Sequence, residues 1–168
     1  MATEVVEMRF EDDGVFPNSP LPLLLYRGAT DGNGPEPIER LFDRNGWPPQ
    51  WRATVFTFHH YHSRSHECLG VASGHATLRF GGPAGAEVRV EAGDVVVIPA
   101  GVAHQRVVAS TDFQVVGAYP PGQEDFDTLR GQPEDRPKAD ENIAKVPMPE
   151  SDPVEGRGGH LSVAWGKP

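Results

Sequence analysis

The sequence predicts an all-β fold, a barrel or sandwich of short strands with one short helix near the N-terminus. Three observations carry this. Glycine (19) and proline (17) are abundant in 168 residues, a mix that favours turns over long helices. From Trp51 to Ala118, apolar residues recur at period two in runs closed by Gly or Pro, as in antiparallel β architectures. Helical spacing is read at Ile38, Leu41 and Phe42, between two turn-forming stretches.

The elements follow in order. "PNSPLPLLLYRGA" (17–29) holds one short strand, about Leu23–Tyr26, after an irregular lead. In "DGNGPEP" (31–37), Asn33 is a candidate cap and a proline suits the first helical turn. Gly46 and Pro48 are placed to stop that helix. From Trp51, one strand is expected to run through His62. It puts Val55, Thr57, His59 and Tyr61 on one face and Phe56, Phe58, His60 and His62 on the other. After Ser63–Ser65 the next strand turns Glu67, Leu69 and Val71 one way and ends at Gly74. Ala76, Leu78 and Phe80 then alternate with Thr77 and Arg79, and "GGPAG" (81–85) is a hairpin loop. Gly93 divides two strands in "AEVRVEAGDVVVIPAG", and the last two lie near His104–Ala109 and Phe113–Ala118. Beyond "YPPGQ" (119–123) the chain turns polar and proline-rich. Ile143, Val146, Met148, Val154, Leu161, Val163 and Trp165 would anchor it as an ordered but irregular C-terminal arm.

Length suits one domain over 1–168, with a core at about 51–119, an N-terminal arm and helix at about 1–50 and a C-terminal arm at about 120–168. A net charge of −9 argues against a nucleic-acid partner and offers no attraction to an anionic membrane. No apolar run approaches the ~18 residues of a membrane span, and "MATEVVEMRFEDDG" is acidic where a signal peptide is basic and then apolar. With Cys68 as the single cysteine, no internal disulfide forms, and a cytoplasmic location is expected.

"FHHYHSRSHE" (58–67) holds four of the seven histidines. On an extended chain His60 and His62 emerge on one face, about 6–7 Å apart, so their nitrogens can meet at one ion. Glu67 faces inward with Leu69 and Val71. The turn at Pro99–Gly101 delivers His104 to the start of a later strand. Three imidazoles and a carboxylate suit one divalent transition metal, without distinguishing Mn, Fe, Co, Ni, Cu or Zn. His66 is the rival to Glu67. The alternation that sends Leu69 and Val71 inward favours Glu67 and leaves His66 behind the ligands or at the surface.

His60-x-His62-x4-Glu67-x6-Gly74 resembles the first cupin motif, and Gly93-x5-Pro99-x-Gly101-x2-His104 resembles the second. The stretches "FPNSPLPLLLYRGA", "FTFHHYHSRSHECLGVASG", "GDVVVIPAGVAHQ" and "VVGAYPPGQ" are similar to the YjlB-like small bacterial cupins. The resemblance implies a cupin double-stranded β-helix, or jelly-roll barrel, with the metal in its mouth. It also implies a homodimer, and a range of dioxygenase, decarboxylase and isomerase chemistry without a choice among them. Thr54 stands where the first motif opens on Gly, and Val108 where the second ends on Asn. Val108 makes the expected site wall more apolar and removes a hydrogen bond.

By alternation Phe58, Leu69, Arg106 and Val108 would border the substrate pocket, Arg106 either meeting a substrate carboxylate or forming a rim ion pair. Phe56 is expected in the core, His59 outward, and Cys68 as a small buried apolar residue. Three functions fit: a metalloenzyme acting on a small organic molecule, a non-catalytic module that binds a metal or small ligand, or a purely structural role with the site vestigial, against which the intact ligand set argues.

Overall fold

Continuous apolar runs in two strands set the architecture. The computed structural model describes residues 4–166, and these form nine strands and three α-helices. A six-stranded sheet joins β1 (Glu4–Phe10), β2 (Ser19–Arg27), β7 (Val95–Ile98), β4 (Glu67–Ser73), β9 (Gln114–Ala118) and β3 (Pro49–Ala53) in that spatial order. A three-stranded sheet joins β6 (Ala86–Glu91), β5 (His75–Phe80) and β8 (His104–Ala109). Every pairing is antiparallel. β1 was not expected from the sequence. Its apolar residues are interrupted by Glu4, Glu7 and Arg9, as suits a half-exposed sheet edge.

Leu23, Leu25, Leu69, Val71, Val96, Ile98 and Val115 of the large sheet meet Leu78, Phe80, Val88 and Val90 of the small one in an inner core. The alternate residues Leu24, Tyr26, Cys68, Val95, Val97, Val116 and Ala118 form a second core on the outer face. A sheet covered on both faces is apolar at every position, so "LLLY" and "VVVI" show no alternation. Cys68 is buried in the outer layer, on the face away from Glu67.

Helix α1 (Pro35–Arg44) provides part of that outer cover through Ile38, Leu41 and Phe42. It starts at Gly34, whose φ of 91° a side chain would resist, and Asn33 does not cap it. α1 lies directly over β4 at Gly70. A Cβ there would strike Ile38 Cγ2 and sit 3.0 Å from Phe42 Cζ.

The remaining cover is the C-terminal arm, which is helical where irregular chain was expected. α2 (Arg136–Lys145) and α3 (His160–Trp165) lie within it. Val154, Leu161 and Trp165 join the outer core, while Met148 and Val163 stay exposed. Fully buried Asp152 pins the arm. It accepts backbone N–H bonds from Val154, Glu155 and Leu161 and a hydroxyl bond from Tyr26. Asn45 and the Trp47 and Trp165 indoles add further bonds to backbone carbonyls.

Two strand expectations are corrected. The strand begun at Trp51 ends at Ala53, and the chain to His66 is held by bridges of His60 to His104 and Tyr61 to Leu129. Phe56, expected in the core, is 52% exposed in consequence. In β8 the register slips, so that Leu78 pairs with Arg106 and Thr77 with Val108, leaving Val107 unpaired. One bulged residue reverses the facing of everything beyond it.

Replacing Gly70 by Ala is expected to destabilise the protein by about 1–3 kcal/mol in urea unfolding, through overpacking against α1. With Ile38→Ala also present, the combined loss should be smaller than the sum of the two. Simple additivity would show that α1 does not sit on that strand.

Candidate metal centre

Backbone pairing brings the histidines together. His60 N–H donates to His104 O (3.1 Å) and His104 N–H to His60 O (2.9 Å), while Gly101 N–H donates to His62 O (2.8 Å). The buried rings of His60, His62 and His104 each offer a nitrogen within 4.8 Å of the others. Each ring is oriented by a carbonyl behind it. His60 Nδ1 lies 3.1 Å from Phe58 O, His62 Nδ1 2.5 Å from Asp127 O, and His104 Nδ1 3.0 Å from Val102 O. A carbonyl only accepts, so each Nδ1 carries the hydrogen and each Nε2 keeps a free lone pair. This is the tautomer a metal ligand needs.

Glu67 opens β4 with its carboxylate on the inner side. Its Oε1 lies 3.4 Å from His62 Nε2 and 3.3 Å from His104 Nε2, yet it is buried without a hydrogen-bond partner. Lone pairs on three nitrogens and a carboxylate oxygen thus converge, which is unfavourable unless a cation lies among them. Without a metal, a proton serves. Burial opposes protonation of His62, but the neighbouring carboxylate outweighs this and raises its pKa. Burial would raise the pKa of Glu67, yet His62 and His104 hold it well below the ordinary carboxylate value. Burial, with His104 beside it, pushes His60 down to about 2. His60, His62 and His104 form a group able to hold a divalent metal ion, with the Glu67 carboxylate beside them.

The donors open onto a cavity of about 350 Å³. Its wall is largely apolar, built from Trp51, Val55, Phe56, Leu69, Tyr119 and Phe126. Of the residues expected to border it, Leu69 does. Phe58 does not: it stacks on Phe56 at 4.8 Å, with the Arg130 guanidinium 3.6 Å over its other side. Arg106 and Val108 also lie outside the wall. Arg106 reaches Thr54 Oγ1 at 3.3 Å, and Val108, past the bulge, is 61% exposed.

Residues 48–116 match the family described as Cupin domain. The chain is also 40% identical to the "Uncharacterized protein YjlB" of Bacillus subtilis (strain 168), over 99% of this chain and all of that one. It belongs to the cupin family. Among solved structures, the cupin is similar to a DUF861 family protein of Thermotoga maritima (21% identity, 51% of this chain and 92% of that one, TM-score 0.33). It is also similar to the acireductone dioxygenase of Bacillus anthracis with a cadmium ion in its active centre (20%, 71% and 79%, TM-score 0.37). Likenesses this low say nothing about the chemistry of this cupin.

Other residues of the cupin bear on the site. Asp127 was not singled out from the sequence. Besides holding His62, it accepts the Ser63 N–H at 2.7 Å and so ties the loop after β9 to the ligand segment. Tyr119 and Trp51 line the cavity and touch Glu67 directly or in series. The period-two run Val115, Gly117, Tyr119 could have revealed Tyr119 as inward-facing. His66 faces the outer core, is buried against Trp165 at 4.7 Å, and takes the Ala100 N–H on Nδ1 at 2.9 Å. It therefore lies neither around the ligands nor at the surface. His59 packs near Phe16 at 5.5 Å, away from the centre.

In metal-free protein His62 holds a proton up to a pH above 6.5, and metal must displace it, so cobalt affinity should rise with pH from 5 to 8. Calorimetry in buffers of different ionisation enthalpy should show about one proton released below pH 6.5. His62→Ala should keep its circular dichroism but take up no stoichiometric cobalt. Separately, burial lowers His66 to about 3 from 6.5. Its stabilisation is then full above 6.5 and falls as pH drops toward 3, at up to about 1.4 kcal/mol per pH unit. Metal-free His66→Gln should therefore lose less melting temperature than the wild type between pH 6.5 and 4.5, and an equal loss would contradict that assignment.

Proposed function

We propose that this cupin is a metalloenzyme acting on a small organic molecule bound beside a three-His, one-Glu divalent metal. The observation that supports the reading is the junction of two environments. A buried donor set with an orphaned carboxylate oxygen forms one end of a cavity whose remaining wall is mainly aromatic and aliphatic. A divalent ion bound there supplies Lewis acidity and, if redox-active, a route to O₂ chemistry, as dioxygenase-, decarboxylase- or isomerase-type reactions require. The chain supplies the rest. The three backbone-anchored imidazoles fix the donor geometry. Trp51, Phe56 and Phe126 cover an organic body and exclude water. Leu69 limits the depth of the cavity from the inner core.

One observation favours a non-catalytic binding module instead. Among the described residues, no acidic or basic side chain lines the cavity beyond the ligand set, and the Tyr119 hydroxyl is already committed to Glu67. Proton transfer would then have to use the ligands themselves.

Turnover decides between the two. The metal-loaded protein should consume O₂, or convert at least one compound, in a panel of small ketones, enols, phenols and carboxylates. His62→Ala should lose this activity by at least about a hundredfold, within the scale of removing a group essential to the chemistry. Reversible binding without conversion across the panel, with Mn, Fe, Co, Ni, Cu or Zn loaded in turn, would establish the module.

A further inference from the structure

We infer that Tyr119, backed by Trp51, is a positioning residue that restricts Glu67 to a single ligating oxygen. The inference rests on the metal site of the proposed function and does not depend on turnover. Glu67 Oε2 accepts the Tyr119 hydroxyl at 2.8 Å. The Tyr119 oxygen in turn accepts the Trp51 indole N–H at 3.0 Å. An indole only donates, so the direction of the chain is fixed. Trp51 donates to Tyr119, and the tyrosine proton is left to point at Oε2. Oε1 has no such donor and is the oxygen that lies 3.3–3.4 Å from two imidazole Nε2 atoms. The carboxylate is thereby divided, with one oxygen held by the protein and the other presented to the ion.

The strand order builds this relay. β4, β9 and β3 are neighbours, with Cys68 paired to Ala118 and Gly117 to Trp51. Glu67, Tyr119 and Trp51 therefore stand in sequence across three strands. Two further features hold the relay in place. The Trp51 indole lies flat on Gly117, where an added Cβ would strike its ring carbons. The Tyr119 ring stacks on Phe126 at 4.8 Å and 19° between planes. Gly117 is a mid-strand glycine, a position where a side chain would ordinarily strengthen the sheet. The indole that occupies its place explains why none is there.

Tyr119→Phe keeps the ring and its stacking and deletes only the hydroxyl. Its circular dichroism should stay near wild type, while its melting temperature without metal should fall, because Glu67 Oε2 and the Trp51 indole N–H each lose a partner. Cobalt affinity, measured by chelator competition, should fall roughly tenfold, the scale expected when a partner behind a ligand is lost. The Co(II) absorption or Cu(II) electron paramagnetic resonance spectrum should shift as Oε2 becomes free to ligate. Trp51→Phe should shift the same spectrum in the same direction by less. Because Trp51 acts only through Tyr119, the double variant should match Tyr119→Phe alone. Wild-type affinity and spectrum in Tyr119→Phe, additive losses in the double variant, or a wild-type chain that takes up no cobalt would each overturn the inference. Failure of the enzymatic reading looks different: metal binding and the relay effects intact, with no compound converted.

Discussion

Burial of the large sheet on both faces is the constraint on which the rest of the molecule depends. β4 is buried along nearly its whole length, and its inner face opens only to the cavity, at Glu67 and Leu69. At its start, Glu67 turns inward and His66 outward, and both lie buried, where an unpaired polar atom is costly. Glu67 Oε2 accepts the Tyr119 hydroxyl, while Oε1 faces the His62 and His104 imidazoles without a hydrogen-bond partner. His66 stays neutral, accepts one backbone N–H on Nδ1 and packs on Trp165, which leaves its Nε2–H buried without a partner. The C-terminal arm is thus part of the site's support. Through Asp152 and Trp165 it seals the face behind the strand that carries Glu67.

Ligand placement rests on main-chain geometry more than on side-chain packing. His60 and His104 are locked to each other by two reciprocal backbone bonds. Each of them turns its Nδ1 to a carbonyl two residues earlier in its own segment. His62 differs, because its carbonyl belongs to Asp127, far along the chain. Two ligands are therefore preset by local conformation. The third depends on the loop after β9 being docked, and the Asp127 carboxylate docks it onto Ser63. Groups fixed this way lose little freedom on binding an ion, the condition for an ordered site.

The four donors were legible because their positions survive local irregularity. His60 and His62 were expected on a regular strand. They instead lie on a bridged, extended segment, yet extended chain still sends residues two apart to the same side. Glu67 was legible from the alternation with Leu69 and Val71, which the inner core keeps. The substrate-side residues were less legible. Val108 was assigned by an alternation that a bulge at Val107 breaks, and a bulge has no sequence mark here. Arg106 precedes the bulge and pairs with Leu78 as the alternation requires, but its guanidinium turns to Thr54 and stays outside the cavity wall. Phe58 was assigned from a strand that ends at Ala53. The arm helices were hidden because their apolar anchors are few and separated by charged residues and prolines. α2 is tied to the rest of the fold by Arg136 to Asp12 and Asn142 to Ser63, and α3 by the Leu161 N–H to Asp152 and the Trp165 indole to Pro22 O.

The contrast between the two ends of the cavity has a chemical consequence. As metal ligands the three imidazoles are neutral, so the donor set then carries one negative charge, on Glu67, and all four groups are buried. A divalent ion leaves the set with a net positive charge, in a cavity wall that offers no other charged group among the described residues. On the proposed function, a guest would then be oriented by contrast. Its oxygen-bearing end gains most beside the ion, in a low-dielectric setting where that attraction is strong. Its carbon skeleton gains most against Trp51, Phe126 and Leu69. Restricting Glu67 to one oxygen strengthens this polarity, because coordination space not taken by the carboxylate is left for the guest. Orientation at this site would thus come from the fold's separation of ligands from wall, without a dedicated recognition side chain.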